Sequence, residues 1–161
     1  MYKILVFTLF FNSLLFSNDR FIRDDNFEII FDKKLNLIWQ DNNNENLYTY
    51  SEAVEYCKEL NIGNYNNWRI PRIRELQSIV DYTRYKPAIY IAFKNTNFFD
   101  YPVGKVGVDY NTYGTEGVYL SSSKAFFFKS YTGFYYISFT DGTINTTNAN
   151  KKNYIRCVKD I

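Results

Sequence analysis

Asn66-Asn67-Trp68-Arg69-Ile70-Pro71-Arg72-Ile73-Arg74-Glu75-Leu76-Gln77-Ser78-Ile79-Val80-Asp81 packs a strand-to-helix corner into one short run. Trp68 and Ile70 alternate as at the end of a strand, Pro71 stops it, and Leu76, Ile79 and Val80 recur at helical spacing. Pro71 fixes its own φ and biases Ile70 toward extended backbone, while lacking only an N–H that a first helical turn leaves unpaired anyway. A Trp so close to a forced corner reads as a core anchor, and a helix is expected over residues 72–82. The run holds no obvious reactive group, which points toward a binding module.

Upstream lies the clearest helix signal in the chain. Thr49 with Glu52 makes a capping-box pattern, Ala53, Cys57 and Leu60 share one face with Tyr50 and Val54 beside it, and Gly63 stands where a C′ glycine belongs. Before it, residues 27–31 and 35–40 read as two strands joined by a turn at Asp32-Lys33-Lys34, with Trp39 as the large apolar anchor of the second. Residues 41–46 form a polar loop rich in oxygen ligands. It lacks the central Gly of an EF-hand loop, so a solvated loop is expected there in preference to a calcium site.

After Pro87 the pattern weakens. Residues 88–119 carry Pro102, Gly104, Gly107, Gly114 and Gly117 among scattered aromatics, a long irregular excursion of the kind that is usually functional or disordered, and ligand contacts are expected on it. From Val118 onward the chain reads as β: residues 119–123, then 125–130 and 134–140 paired across Tyr131-Thr132-Gly133, then a hairpin turn at Asp141-Gly142 into 143–146, and a last strand over 154–159. The expected class is α+β, with two helices packed on a mainly antiparallel sheet and a long irregular loop region.

The chain has 161 residues, room for one ordinary domain. Its expected organisation is a signal peptide over residues 1–17, a charged, loosely ordered lead-in over 18–26, and the domain over 27–160. Lys3, the apolar run from Ile4 to Phe16 and Leu15-Phe16-Ser17 match the three parts of an export signal. The run is shorter than the roughly 20 residues a spanning helix needs, so the mature form has no expected transmembrane span and belongs in the periplasm, at the cell surface or outside. Lys and Arg number 19 against 17 Asp and Glu, a balance that carries no argument for a nucleic-acid partner, and none is expected. Tyr and Phe are abundant together with Asn and Lys, a set that an AT-rich coding bias raises as a group, so the aromatics are not read wholesale as a binding surface.

Two cysteines, Cys57 and Cys157, stand in a chain expected to leave the reducing cytosol, and an even count there favours a disulfide. The rivals are two free thiols or a metal site, although two isolated cysteines without any histidine make a poor metal cage. Zero histidine also removes the commonest general base and the histidine-assisted nucleophiles, so no catalysis, cofactor or metal is expected.

Binding candidates are cationic and aromatic. Arg72, Arg74, Arg84 and Lys86 cluster in sequence around the second helix, where guanidinium groups can fork onto sulfate or carboxylate oxygens. Tyr110 and Tyr113, on the excursion, can stack on sugar rings. The plainer alternatives are a solvated basic face and aromatic packing. Arg69, beside the Trp68 anchor, reads as a structural ion pair, and Ser121 to Ser123 as groups that satisfy backbone or close-packing needs.

Phe31-Asp32, Leu37-Ile38-Trp39-Gln40, Ser51-Glu52-Ala53, Tyr56-Cys57 and Leu60 occur in order, followed by Trp68-Arg69-Ile70-Pro71 and Glu75-Leu76-Gln77-Ser78-Ile79. Tyr119, Ser121-Ser122-Ser123, Gly142 and Arg156-Cys157-Val158 complete the series. In these landmarks the chain resembles the C-terminal domain family of the Legionella collagen-like adhesin over about residues 27–159. The resemblance implies a C-type-lectin-like α+β fold related to formylglycine-generating enzymes and, for some members, adhesion to sulfated glycans. The expected partner is therefore an anionic glycan or, alternatively, an envelope protein bound by a structural or protein-interaction domain. Two positions depart from the family pattern. Arg72 replaces the usual Thr, a natural N-cap, and Leu120 replaces the usual Trp. No collagen-like Gly repeat is present, so oligomeric state does not carry over.

Overall fold

Successive side chains of a strand point to opposite faces, so a strand that is apolar at every position must be covered on both sides. β3 (Leu37–Gln40) is buried at all four positions, and β2 (Ile29–Asp32) at three of its four. The computed structural model, which describes residues 19–98, 117–127 and 131–161, resolves this demand by splitting the core. Ile30, Leu37 and Trp39 enter one apolar cluster with Leu76, Ile79, Phe93, Tyr119 and Phe139. Ile29 and Ile38 enter the other, with Ala53, Cys57, Trp68, Leu120 and Cys157.

The sheet between them is antiparallel, in the order β1 (Phe21–Asp24), β2, β3, β7 (Val158–Asp160). Helix α1 (Tyr50–Glu59) joins one cluster through Ala53 and Cys57, and helix α2 (Ile73–Ser78) joins the other through Leu76. β4 (Val118–Phe127), β5 (Tyr131–Ser138) and β6 (Ile144–Asn148) form a second antiparallel sheet. This is the expected α+β class, with the strands divided between two sheets. Cys57 and Cys157 are bridged, as expected, across a sequence separation of 100.

Several expectations are corrected. Residues 18–26 were expected as a loose lead-in, yet Phe21–Asp24 is a strand paired with β2. Two arginines of the run turn inward: Arg20 bonds the fully buried Asp32 and the Ser78 carbonyl, and Arg23 pairs with Asp41 as well as with the exposed Asp25. Helix α2 is shorter than the expected 72–82 because tertiary partners take the carbonyls that a longer helix would use. Arg20 takes that of Ser78, Tyr90 N–H that of Ile79, and Ala88 in turn accepts from Asp81 N–H. Gly63 is not the C′ residue of α1, whose C-cap is Leu60; it adopts φ +59° in the turn between Ile62 and Tyr65, where a Cβ would meet Ile29 Cδ1 at 3.0 Å.

In the second sheet, β4 is one strand with a register shift between Leu120 and Lys124, and Tyr131-Thr132-Gly133 lies inside β5 instead of forming a turn. The last strand is limited to Val158–Asp160. Residues 88–93, expected to begin the ligand-bearing excursion, contribute to the core through Ala88, Ile89 and Phe93, which are buried, while Tyr90 and Ile91 stay exposed. Tyr110, Tyr113 and the expected signal peptide lie outside the described residues.

A buried carboxylate joins these parts. Asp41 is 1% exposed, and its oxygens accept from Arg23, Arg156 and the backbone N–H groups of Lys94 and Asn95. Arg156, 2% exposed, also bonds the carbonyls of Gln40 and Asn95 and the Thr96 hydroxyl, with its guanidinium carbon 5.0 Å from the Phe93 ring centre. Because removing one partner strands a buried charge, Asp41→Asn is expected to cost about 3–5 kcal/mol in urea denaturation. The replacement of both cysteines by Ala removes a crosslink whose chain-entropy value is about 4.7 kcal/mol for a loop of this size. A large drop in the urea midpoint of that double variant, reproduced by reduction of the parent, is the expected outcome.

Candidate functional site

The corner that organises the sequence also borders a groove of about 480 Å³. One wall is α1, which contributes Tyr50, Val54 and Lys58, residues four apart and therefore on one helix face. The other wall is the corner itself, with Trp68, Arg69, Ile70 and Arg72, joined by Ser122 of β4. α1 is set by its sequence: the Glu52 carboxylate accepts from Thr49 N–H at 2.8 Å, and Thr49 Oγ1 accepts from Glu52 N–H, the expected capping box. Tyr50 is backed by Phe134, the rings stacked at 3.6 Å.

The corner is held from three sides. Arg69 exchanges both backbone hydrogen bonds with Val158, at 2.8 and 2.9 Å. Trp68, 4% exposed, donates its indole N–H to the Tyr65 carbonyl. The serine run docks on the turn: Ser122 N–H and hydroxyl both donate to the Pro71 carbonyl, and the Ser123 hydroxyl accepts from Ile73 N–H at 3.0 Å. Ser123 thus supplies from another strand the cap that Arg72, which has no acceptor, cannot provide. The other half of a capping box does form, with Glu75 accepting from Arg72 N–H at 2.7 Å. The register shift in β4 is what frees these serines from the ladder.

Arg69 is the structural ion pair expected. It forks onto both oxygens of Glu75 at 2.9 Å and onto both of Asp160 at 2.7 and 2.8 Å. Those hydrogen bonds, first the ones Arg69 donates to Asp160 and then the ones it donates to Glu75, push the Arg69 pKa further up. Burial raises the Glu75 carboxyl, but the bonds from Arg69 and from Arg72 N–H outweigh it and the net shift is down. Asp160 is lowered chiefly by its hydrogen bonds to Arg69, with the charge of Arg72 adding to the shift. Arg72, at a helix start where a cation is disfavoured, is therefore compensated by two acids of its own chain.

The four predicted cations do not share one place. Arg72 lines the groove, and Arg74 is exposed on α2 without lining it. Arg84 and Lys86 follow the C-terminal end of α2, where Arg84 N–H bonds the Asp81 carbonyl, Lys86 N–H the Thr140 carbonyl, and Lys86 Nζ lies 5.6 Å from the Tyr85 ring centre. Lys58, missed from the sequence, takes their place beside Arg72; its spacing from Tyr50 and Val54 was the available signal. On the other side of α1 a groove of about 630 Å³ carries Glu52, Glu55 and Glu59, so the two flanks of one helix have opposite charge.

A carboxyl whose folded pKa is depressed contributes stability above its unfolded pKa and loses it as the pH falls through the folded value. For Glu75 and Asp160 that window opens below about 4.3 and 3.9, the ordinary values of the two residue types. Urea stability measured from pH 7 down to 2 is expected to hold near neutrality and decline below about pH 4, with a shallower decline in Arg69→Met.

The model of the Lcl C-terminal domain family matches residues 28–159. No curated protein and no solved structure matches the chain. The match spans most of the sequence, and the chain belongs to the Lcl C-terminal domain family, an adhesin-associated family. Among the described residues no helix is long and apolar enough to cross a membrane.

Proposed function

We propose, taking membership of the Lcl C-terminal domain family as the premise, that this protein is an exported, non-catalytic adhesion module that holds an anionic, sulfated glycan in the groove between α1 and the Trp68–Arg72 corner. The observation that carries the proposal is the make-up of that groove. Lys58, Arg69 and Arg72 line it together with Tyr50, Val54 and Trp68, and no carboxylate is among its described lining residues. Guanidinium and ammonium groups meet sulfate or carboxylate oxygens, while an aromatic ring offers a flat face to a sugar. Arg69 is committed to Glu75 and Asp160, which leaves Lys58 and Arg72 as the cations that turn to the ligand.

Export is supported by the Lys3 to Ser17 pattern and is compatible with the disulfide. The absence of catalysis is supported by zero histidine and by the engagement of both thiols in one bridge.

A glycan array and heparin-type polymers test the proposal. Arg72→Ala and Lys58→Ala are each expected to weaken binding about tenfold, the equivalent of one charge-assisted contact of about 1.4 kcal/mol. The double variant should also lose most of the salt dependence of binding, because surface charge attraction is screened by salt. Absent binding by the parent, or unchanged binding by the double variant, removes the glycan reading. A specific observation favours the alternative in that event. Tyr82, Tyr85 and Ile91 are 66, 68 and 77% exposed within ten residues that also hold Arg84, a composition suited to a protein interface. An envelope protein-interaction domain would then be retained by a stoichiometric pull-down complex that Tyr85→Ser breaks.

A further inference from the structure

The polar loop that follows β3 has the residue types of a cation site, but its surroundings have the opposite polarity. Its first residue, Asp41, spends its carboxylate on Arg23, Arg156 and backbone N–H groups, and so offers little to a metal. Beside it lies a cavity of about 10 Å³ lined by Gln40, Asn42, Asn44, Asn95, Tyr119 and Arg156. That volume holds about one water-sized particle.

The walls present hydrogen-bond donors in excess. A guanidinium has five N–H groups. In Arg156, Nη1 bonds the Gln40 carbonyl and Asp41, and Nη2 bonds the Asn95 carbonyl and the Thr96 hydroxyl. Nε is left with no partner although the residue is 2% exposed. Asn44 Nδ2 is likewise buried without an acceptor at full hydrogen-bond geometry, its side-chain interaction being with the Tyr56 hydroxyl. Acceptors on the same walls are engaged: Asn42 Oδ1 takes Gln40 Nε2–H, and Gln40 Oε1 takes Cys157 N–H. Arg23 and Arg156 share the buried carboxylate of Asp41, and Arg23 also pairs with the exposed Asp25.

We propose that this cavity is a binding site for one small hydrogen-bond acceptor, a water molecule or a halide ion, held by Arg156 Nε and Asn44 Nδ2. Two buried donors without a well-placed acceptor are costly, and a single acceptor bridging them satisfies both. The bound particle ties the loop after β3 to Arg156 and thereby to the segment before β7. Asn97 Nδ2 already bonds the Asn44 carbonyl at 2.6 Å, so the loop is fastened at its backbone and, through the ligand, at its side chain.

Crystals of the oxidised chain grown in sodium bromide, with diffraction recorded at the bromine edge, test this directly. An anomalous peak between Arg156 and Asn44 supports the site with a halide in it, and density there without an anomalous signal supports the site with water in it. An empty cavity, at a resolution where other buried waters are visible, overturns the proposal. Asn44→Leu, which removes one donor, is expected to abolish the density and lower the melting temperature by about 2–4 °C. Density that persists unchanged in that variant overturns the assignment of Asn44 as a ligand.

Discussion

The carboxylate of Asp41 cannot stay charged in the interior without partners, and most of the architecture meets that demand. Its partners come from places remote in sequence: Arg23 on β1, the backbone of residues 94–95, and Arg156 just ahead of β7. Each is held to a position by the others. A buried ion pair is a weak source of net stability, because desolvation offsets much of the attraction. Its effect here is geometric. The edge strand, the start of the long excursion and the C-terminal segment are brought together around one carboxylate, and the apolar clusters pack on either side of the sheet that carries it.

The candidate site is built on the opposite principle, with rigid supports and charges left partly in water. Trp68, the Ser122–Ser123 contacts, the backbone exchange with Val158 and the Arg69 fork all fix the corner without using the outward face of the groove. The disulfide ties α1, the other wall, to the residue next to β7. Lys58 and Arg72 can therefore present charge from two independently anchored elements, and a pre-organised site loses less entropy when a ligand arrives.

Local chemistry was the legible part. The Thr49–Glu52 box, the strand-to-helix turn at Pro71 and the burial of Trp39 and Trp68 all follow from the spacing of neighbours. Arg69 was readable as an ion pair because a cation beside a buried Trp needs one. What was misread involved partners far along the chain. Arg20 and Arg23 look solvated in a charged run, and only Asp32 and Asp41 turn them inward. At Arg72, which stands where the family pattern has a capping Thr, the acceptor comes from Ser123 on β4. The cations around α2 formed one cluster in sequence, yet a six-residue helix, about 9 Å long, separates Arg72 from Arg84 and Lys86.

By itself the sequence determined the class of the fold, the capped start of α1 and the lack of histidine, and it favoured the pairing of the two cysteines. These depend on backbone restriction, side-chain periodicity and residue type, which are properties of short stretches or of composition. Only the tertiary structure decided that β3 would be covered on both faces, that the strands would divide into two sheets, and that Lys58 would join Arg72 across a groove. It also decided that the oxygen-rich loop after β3 would meet arginines. Those outcomes depend on which distant groups satisfy one another once water is excluded, and no local spacing encodes that choice.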